Sequence, residues 1–354
     1  MPKHRLPRTG LYREALAAGN AYRARYLKEL QTLIASLRKQ AGVERQRNFA
    51  ADSSSPAAYA RSLAPLRERY RAMLGWPLTA DRAKLGPLVP ESQLVARDDL
   101  GTIFRMRLAI LPGLDMYGML FLPASSEAVR VPLVIAQHGG LGTPERIAGF
   151  FDSANYNEML RRVLVRGVAV FAPQLLLWAE EFGPKYDRQR VDLQLKQLGS
   201  SITALEIHGI QRWLDYLVTR HELDPSRIGM VGLSYGGFYT LYTAAADPRL
   251  KVAVASCSFG DREVHGGSDW TWQNASHLFL DPEVAALVCP RALYIEVGTR
   301  DELVSAKDAR REAAKVRKVY GRLRVARRFA FREFRMGHEF CKKDEPVDFL
   351  MRHL

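Results

Sequence analysis

The stretch RIGMVGLSYGGFYTLYTAAA, residues 227–246, changes character in its middle. Residues 227–233 are a short, almost wholly apolar run, which predicts a strand buried on both faces and ending at Leu233. The residues after Gly236 predict a helix. Between them lies GLSYGG (232–237), a G-x-S-x-G pattern. A strand that turns at once into a helix needs a very tight turn. Glycines two residues before and two after the serine remove side chains that such a turn would crush. Ser234 would then project above the carboxyl edge of a sheet, with a helix N-terminus favouring negative charge beside it.

The surrounding chain supplies the sheet. VPLVIAQ (131–137), GVAVFAP (167–173), VAVASCS (252–258) and ALYIEVG (292–298) are further continuous apolar runs, and RRFAFREF (327–334) is a last strand. TIFRMRLAIL and MYGMLFLP (102–123) predict two strands around the turn PGLD. Helical segments such as NEMLRRVLVRG, SITALEIHGIQRWLDYLVTRH and SAKDARREAAKVRKVYG alternate with the strands. This order predicts an α/β fold with a mostly parallel central sheet of about eight strands flanked by helices. Two stretches, 174–199 and 259–289, are longer than simple connections and are candidates for lid or binding excursions.

Ahead of that body, residues 10–75 are helical in pattern. Leu27, Leu30, Leu33, Ile34 and Leu37 share one face, and PAAYARSLAPLRERYRAML follows as a second helix. The division predicted is an N-terminal helical extension over 1–99 and a body over 100–354. The apolar stripe should dock on the body or on a second subunit, which makes a homo-oligomer through the N-terminal helices a candidate partnership. The net charge of +14 is uneven: residues 1–75 carry 15 basic against 5 acidic side chains and residues 301–335 carry 12 against 5. The rest of the chain is close to neutral. Solvated helix faces account for such segments; no nucleic-acid motif accompanies them. No apolar run is long enough to span a bilayer and no secretory pattern opens the chain, so a cytoplasmic setting is expected. Three widely spaced cysteines, Cys257, Cys289 and Cys341, form neither a disulfide framework nor a metal spacing.

A serine hydroxyl needs a base, the base needs a carboxylate, and an oxyanion needs N–H donors. His338, in the loop after the last strand beside Gly337, is the candidate base, with His265 and His277 as the next choices. Asp301, in GTRDELV after the strand ending at Gly298, is the candidate carboxylate, with Glu302 as the fallback. Glu296 lies inside the strand itself and needs a buried partner. The oxyanion donors expected are the N–H groups of Tyr235 and of Gly140 in QHGGLG, Gly140 being preferred to Gly139; His138 reads as a loop-shaping residue. Trp178, Trp270 and Trp272 fall in the two excursions, where they would stack on sugar rings or pack as core.

With Ser234, Asp301 and His338 in that chain order, the sequence resembles the α/β-hydrolase superfamily over roughly residues 100–350. HGG, LDPSRIGMVGLSYGGFYTLYTAAADPRLKVAVASC, IEVGTRDE and MGH resemble its dienelactone-hydrolase and acetyl-xylan-esterase-like branch. Dienelactone hydrolases proper carry a cysteine at the elbow, where this chain has Ser234. The resemblance therefore implies ordinary ester hydrolysis through an acyl-enzyme, with no metal or organic cofactor. The substrate expected is a small-molecule or carbohydrate ester, a deacetylase of carbohydrate esters being the narrower reading. A prolyl-oligopeptidase-like peptidase and a non-catalytic hydrolase-fold binding protein are the alternatives. Neither nucleic acid nor a membrane is expected as a partner.

Overall fold

The protein is described by a computed structural model covering residues 10–81, 85–264 and 266–354. His265, one of the alternative bases, lies outside these residues. Nine strands form one sheet: β1 (Glu91–Asp98), β2 (Gly101–Leu111), β3 (Leu114–Pro123), β4 (Val131–Gln137), β5 (Ala169–Pro173), β6 (Leu223–Leu233), β7 (Val252–Ser256), β8 (Ala292–Gly298) and β9 (Phe329–Phe334). Their order is β1-β2-β3-β5-β4-β6-β7-β8-β9. The first three strands are an antiparallel meander joined antiparallel to β5, and the six from β4 to β9 run parallel.

The continuous apolar runs now have their reason. On β4, Leu133 and Ile135 enter one core, while Val134 and Ala136 enter the other. Helices Ile202–Leu217, Tyr235–Ala246, Asp281–Val288 and Ala306–Arg322 cover the first face. Helices Met159–Leu164 and Glu345–His353 cover the second. Both faces are buried, so no alternation survives in the sequence. Strand β1 is the opposite case. Every residue of ESQLVARD is exposed, because an edge strand can be held by its backbone pairing to β2 alone. It makes the sheet nine-stranded rather than eight-stranded, and it lies within the 1–99 segment that the sequence pattern assigns to helices.

The segment 56–74 also differs from its expectation. It forms two helices, Pro56–Ser62 and Ala64–Leu74, because Pro65 has no N–H to continue the first and suits the opening turn of the second. Tyr59, Leu63, Leu66, Tyr70 and Leu74 are buried in the same core as β4 and the helix Tyr235–Ala246. Tyr70 donates its hydroxyl to the Tyr242 carbonyl at 3.1 Å. By contrast, helix Asn20–Asn48 buries only Ala41. Among the described residues no helix is long and apolar enough to cross a membrane.

One carboxyl is sealed in the sheet. Glu296 on β8 is fully buried; its Oε1 accepts from Ser256 Oγ at 2.8 Å and from the Cys341 N–H at 3.0 Å. Its Oε2 is buried with no hydrogen-bond partner among the described residues. Burial pushes this carboxyl up to about 7, against the two hydrogen bonds that favour its charged form.

Two outcomes follow for stability. Leu63→Ala should cost about 2–5 kcal/mol in urea unfolding, whereas Tyr70→Phe should cost only about 1 kcal/mol by releasing the Tyr242 carbonyl. For Glu296, a raised acid pKa means that the folded state binds the proton more tightly than the unfolded one. Its stabilising contribution is full below the unfolded value and is lost as pH rises through about 7. Glu296→Gln keeps a carbonyl oxygen for both donors and cannot ionise. Its melting temperature relative to wild type should climb between pH 5 and pH 8, by up to the equivalent of about 3 kcal/mol.

Candidate active site

The sequence from β6 into helix Tyr235–Ala246 forms the expected turn. Ser234 has φ 61° and ψ −124°, a strained left-handed backbone for a residue with a Cβ. The crowding around it shows why glycines flank it. A Cβ on Gly232 would lie 2.4 Å from the Gly236 backbone, and one on Gly236 would lie 2.1 Å from the Gln137 carbonyl oxygen. The Ser234 N–H donates to Ser256 O at 2.9 Å, and Ser234 O accepts from the Phe238 N–H at 2.9 Å. The first bond fixes the elbow to the end of β7 and the second starts the helix.

Asp301 and His338 come from neighbouring strand ends. The loops after β8 and β9 pack closely: Arg300 N–H donates to Met336 O at 3.0 Å, and a Cβ on Gly298 would strike Gly337 O at 2.3 Å. This brings His338 Nδ1 to 2.8 Å from Asp301 Oδ2. Asp301 Oδ1 accepts from the Leu303 and Val304 N–H groups at 2.8 and 3.0 Å. Burial acts to raise the Asp301 carboxyl, but the His338 contact and these N–H groups outweigh it and hold it below its ordinary value. The charged carboxylate therefore fixes the Nδ1–H tautomer of His338. The other ring nitrogen, Nε2, is buried and has no hydrogen-bond partner among the described residues, Ser234 Oγ included. Such a contact commonly tightens only when substrate is bound.

The loop after β4 lies against the elbow. A Cβ on Gly139 would sit 3.0 Å from Ser234 Cβ, and one on Gly140 would touch the Tyr235 ring at 3.5 Å. The Gly139 N–H is already spent on Tyr156 Oη at 2.8 Å. His138 is buried beneath this loop, and burial lowers it to about 4, so it is neutral near pH 7. Its Nε2 accepts the Leu175 N–H at 3.1 Å, so Nδ1 carries the proton and donates to Gly139 O at 2.9 Å. The loop-shaping expectation for His138 fits these bonds.

The remaining candidates separate. Glu302 is exposed, and His277 pairs at 2.7 Å with Glu44 of helix Asn20–Asn48. Trp272 is only 8 % exposed, packs on Phe238 and Tyr242, and donates to Ser201 Oγ at 3.3 Å. Its indole packs as core, the second of the two expectations for it, and not as a ring free to stack on a sugar. Trp270 stands edge-on to the Tyr235 ring, with centroids 4.8 Å apart. Trp178 lines a cavity of about 410 Å³ with Tyr117, Thr143, Glu145, Phe151 and Gln174. Gln174 reaches back to His138 Nε2 at 3.1 Å, so this cavity adjoins the glycine loop.

Sequence reasoning missed a buried network that reaches Tyr235. Arg188, from the 174–199 excursion, donates to Glu206 Oε2 at 2.8 Å, to Asp269 Oδ2 at 2.7 Å and to Tyr239 Oη at 2.7 Å. Asp269, from the 259–289 excursion, also accepts from Tyr235 Oη at 3.0 Å. The one signal was Glu206 itself, a carboxylate inside the apolar ITALEIHGIQRW. Cys257, Asp301 and His338 offer donor atoms within 4.8 Å of one another, a spacing a metal ion would accept. Asp301 Oδ2 and His338 Nδ1 are spent on each other, and burial keeps the Cys257 thiol protonated, so this donor set fits an ion poorly.

Comparison with known proteins meets this geometry. Among curated proteins, the chain is 37% identical over 103 residues to the Bacillus subtilis (strain 168) protein YtaP, named as a hydrolase, covering 27% of this chain and 34% of that protein. It is 28% identical over 163 residues to hydrolase LUC6 of Fusarium sp, covering 44% and 33%. The chain thus spans about a third of the length of the curated relatives it matches. Solved structures share the fold: the methylesterase BT1017 has a TM-score of 0.64 at 19% identity, covering 84% of this chain and 64% of that one. BF1801 of Bacteroides fragilis NCTC 9343, assigned as an acetyl xylan esterase, has a TM-score of 0.64 at 16% identity, covering 81% and 78%. A glucuronoyl esterase from Solibacter usitatus has 0.61 at 15%, covering 83% and 92%. These likenesses establish the α/β-hydrolase fold, and the dienelactone hydrolase family profile matches residues 117–345, well over half the sequence. The chain belongs to the dienelactone hydrolase family.

Proposed function

We propose that this protein is a serine carboxylic-ester hydrolase working through an acyl-enzyme. The observation that carries the reading is the 2.8 Å contact between His338 and a charged Asp301, set on the strand ends beside a serine in a strained elbow. Ser234 Oγ attacks the ester carbonyl while His338 Nε2 takes its proton, and Asp301 stabilises the imidazolium that forms. The developing oxyanion is met by the N–H groups of Tyr235 and Gly140. The use of Gly139 N–H by Tyr156 supports Gly140 as the donor from this loop. His338 then protonates the leaving alcohol, and a water molecule repeats the sequence on the acyl-enzyme.

The narrower reading is an ester on a carbohydrate. Support comes from the aromatic and polar lining of the Trp178 cavity beside the glycine loop, and from the xylan and glucuronoyl ester names among proteins of the same fold. Aromatic faces with a few hydrogen-bonding groups suit sugar rings. The three cysteines are free and buried, which supports a reducing, cytoplasmic setting.

Ser234→Ala should abolish turnover of a chromogenic aryl acetate and block labelling by a fluorophosphonate, with an unchanged melting temperature. Asp301→Asn should lower kcat by about 10⁴-fold through the wrong histidine tautomer. A folded Ser234→Ala protein that still turns over the ester would refute the assignment. For the substrate, acetylated xylo-oligosaccharides should be cleaved with a higher kcat/KM than aryl acetates, and Trp178→Ala should erase most of that preference while sparing the aryl ester. Equal kcat/KM on both substrate types would remove the carbohydrate reading.

A further inference from the structure

Among the described residues, helix Asn20–Asn48 is fastened to the body only near its C-terminal end. Arg45 pairs with Glu283 at 3.1 Å and donates to the Ser276 carbonyl, and Asn48 Nδ2 donates to His277 O at 3.2 Å. Residues 21–40 are exposed throughout. About twenty residues of helix standing alone in water are marginal, since most helical stability in proteins comes from packing an apolar face. This helix has such a face. Leu27, Leu30, Ile34, Leu37 and Ala41 fall at alternating spacings of three and four residues, the a and d positions of a heptad repeat. Ala41, the last of them, is the one that the body buries; the stripe continues from it into solvent.

The charges say what kind of partner fits. Between Ala24 and Leu37 the flanking e and g positions are Ala24, Tyr26, Gln31 and Leu33, all uncharged, and the e position that follows Leu37 is Arg38. The charged residues of the same stretch, Arg25, Lys28 and Glu29, take the outer b, c and f positions, and Arg25 and Glu29 pair with each other at 2.7 Å. A seam meant for a different helix usually carries complementary charges at e and g to choose it; a rim with a single charge near one end leaves most of the seam free to meet its own copy. Tyr26, Leu27, Leu30, Leu33, Ile34 and Leu37 are each 38–69 % exposed. Together they form a patch on the order of 500 Å², as large as the largest patch on an ordinary monomer and enough for the apolar centre of a standard interface.

We propose that the protein is a homodimer in which the seam of helix Asn20–Asn48 packs against the same seam of a second copy. The arrangement is isologous, so one stripe serves both partners. The charged residues of 21–40 are Arg23, Arg25, Lys28, Arg38 and Lys39 against Glu29, so an anionic membrane surface is the competing occupant and forms one arm of the test. The test is independent of the ester chemistry, because it reads mass. Sedimentation equilibrium of the full chain from about 1 to 100 μM should give about 80 kDa, twice the 39.9 kDa of one chain. Leu30→Glu combined with Leu37→Glu should raise the dissociation constant at least about 100-fold and leave a monomer over this range. Both positions are exposed, so the melting of the core should not change, while far-UV circular dichroism should lose at most the helical signal of the freed residues 21–40. Lys28→Ala, on the outer face, should leave the dimer intact. A wild type that stays monomeric overturns the proposal, whether or not it co-sediments with phosphatidylserine–phosphatidylcholine vesicles. A dimer that survives the double substitution also overturns it.

Discussion

The backbone at Ser234 is the constraint on which the site depends. A left-handed residue with a side chain is costly, of order 1–3 kcal/mol, and persists only where its surroundings leave no alternative. Here the surroundings are the ends of three strands. Gly236 lies under the carbonyl of Gln137 at the end of β4, and Gly237 lies against the Ser256 carbonyl at the end of β7, where a Cβ would come to 2.4 Å. Because the elbow is wedged between these ends, the loops that leave them are wedged too. The Gly139–Gly140 segment departs from β4 and is held against Ser234, while β7 returns a carbonyl to the Ser234 N–H. One tight turn thus sets both the proposed nucleophile and the proposed oxyanion donors.

The two excursions are joined by electrostatics rather than by apolar packing alone. Arg188, Glu206 and Asp269 are all nearly buried, one cation against two carboxylates. The hydroxyls of Tyr235 and Tyr239 donate to the carboxylates and take up the unbalanced charge. A buried network of this kind is costly unless every member is satisfied, and when satisfied it holds one arrangement. Lys196 adds bonds from the first excursion to the Ser268 and Thr271 carbonyls of the second. Both segments are therefore walls tied to the residue that follows Ser234. A lid needs few such contacts; these segments have many.

Much of this was legible in the sequence, and what was legible has one cause. Strands buried on both faces are apolar throughout, so β4 to β8 stand out, and a chain that must turn sharply at a strand end shows its glycines. Ser234, Asp301 and His338 sit at such ends. Strand β1 was not legible because an exposed edge strand answers only to backbone pairing, and its side chains are free to be polar. The break at Leu63 was written in Pro65, yet the burial of the helices around it was not, since their charged faces are as long as their apolar ones. The partners of Arg188 lie 18 and 81 residues away in sequence, and no local pattern encodes a network that only the fold assembles.

The tryptophans show why chemistry was easier to read than substrate. Trp270 and Trp272 are two residues apart in one loop, yet one stands against Tyr235 and the other fills the core beneath it. A reactive group is constrained by the bond it must make, so its neighbours leave a pattern in the chain. A ring that receives a ligand and a ring that fills a core obey the same rule, to remove apolar surface from water. Only the geometry around each separates them: Trp272 is 8 % exposed with its ring against Phe238 and Tyr242, whereas Trp178, its N–H given to the Pro184 carbonyl, borders an open cavity with Gln174 and Glu145. Where each of these rings stands is set by how the two excursions are tied down, through Arg188 and Lys196.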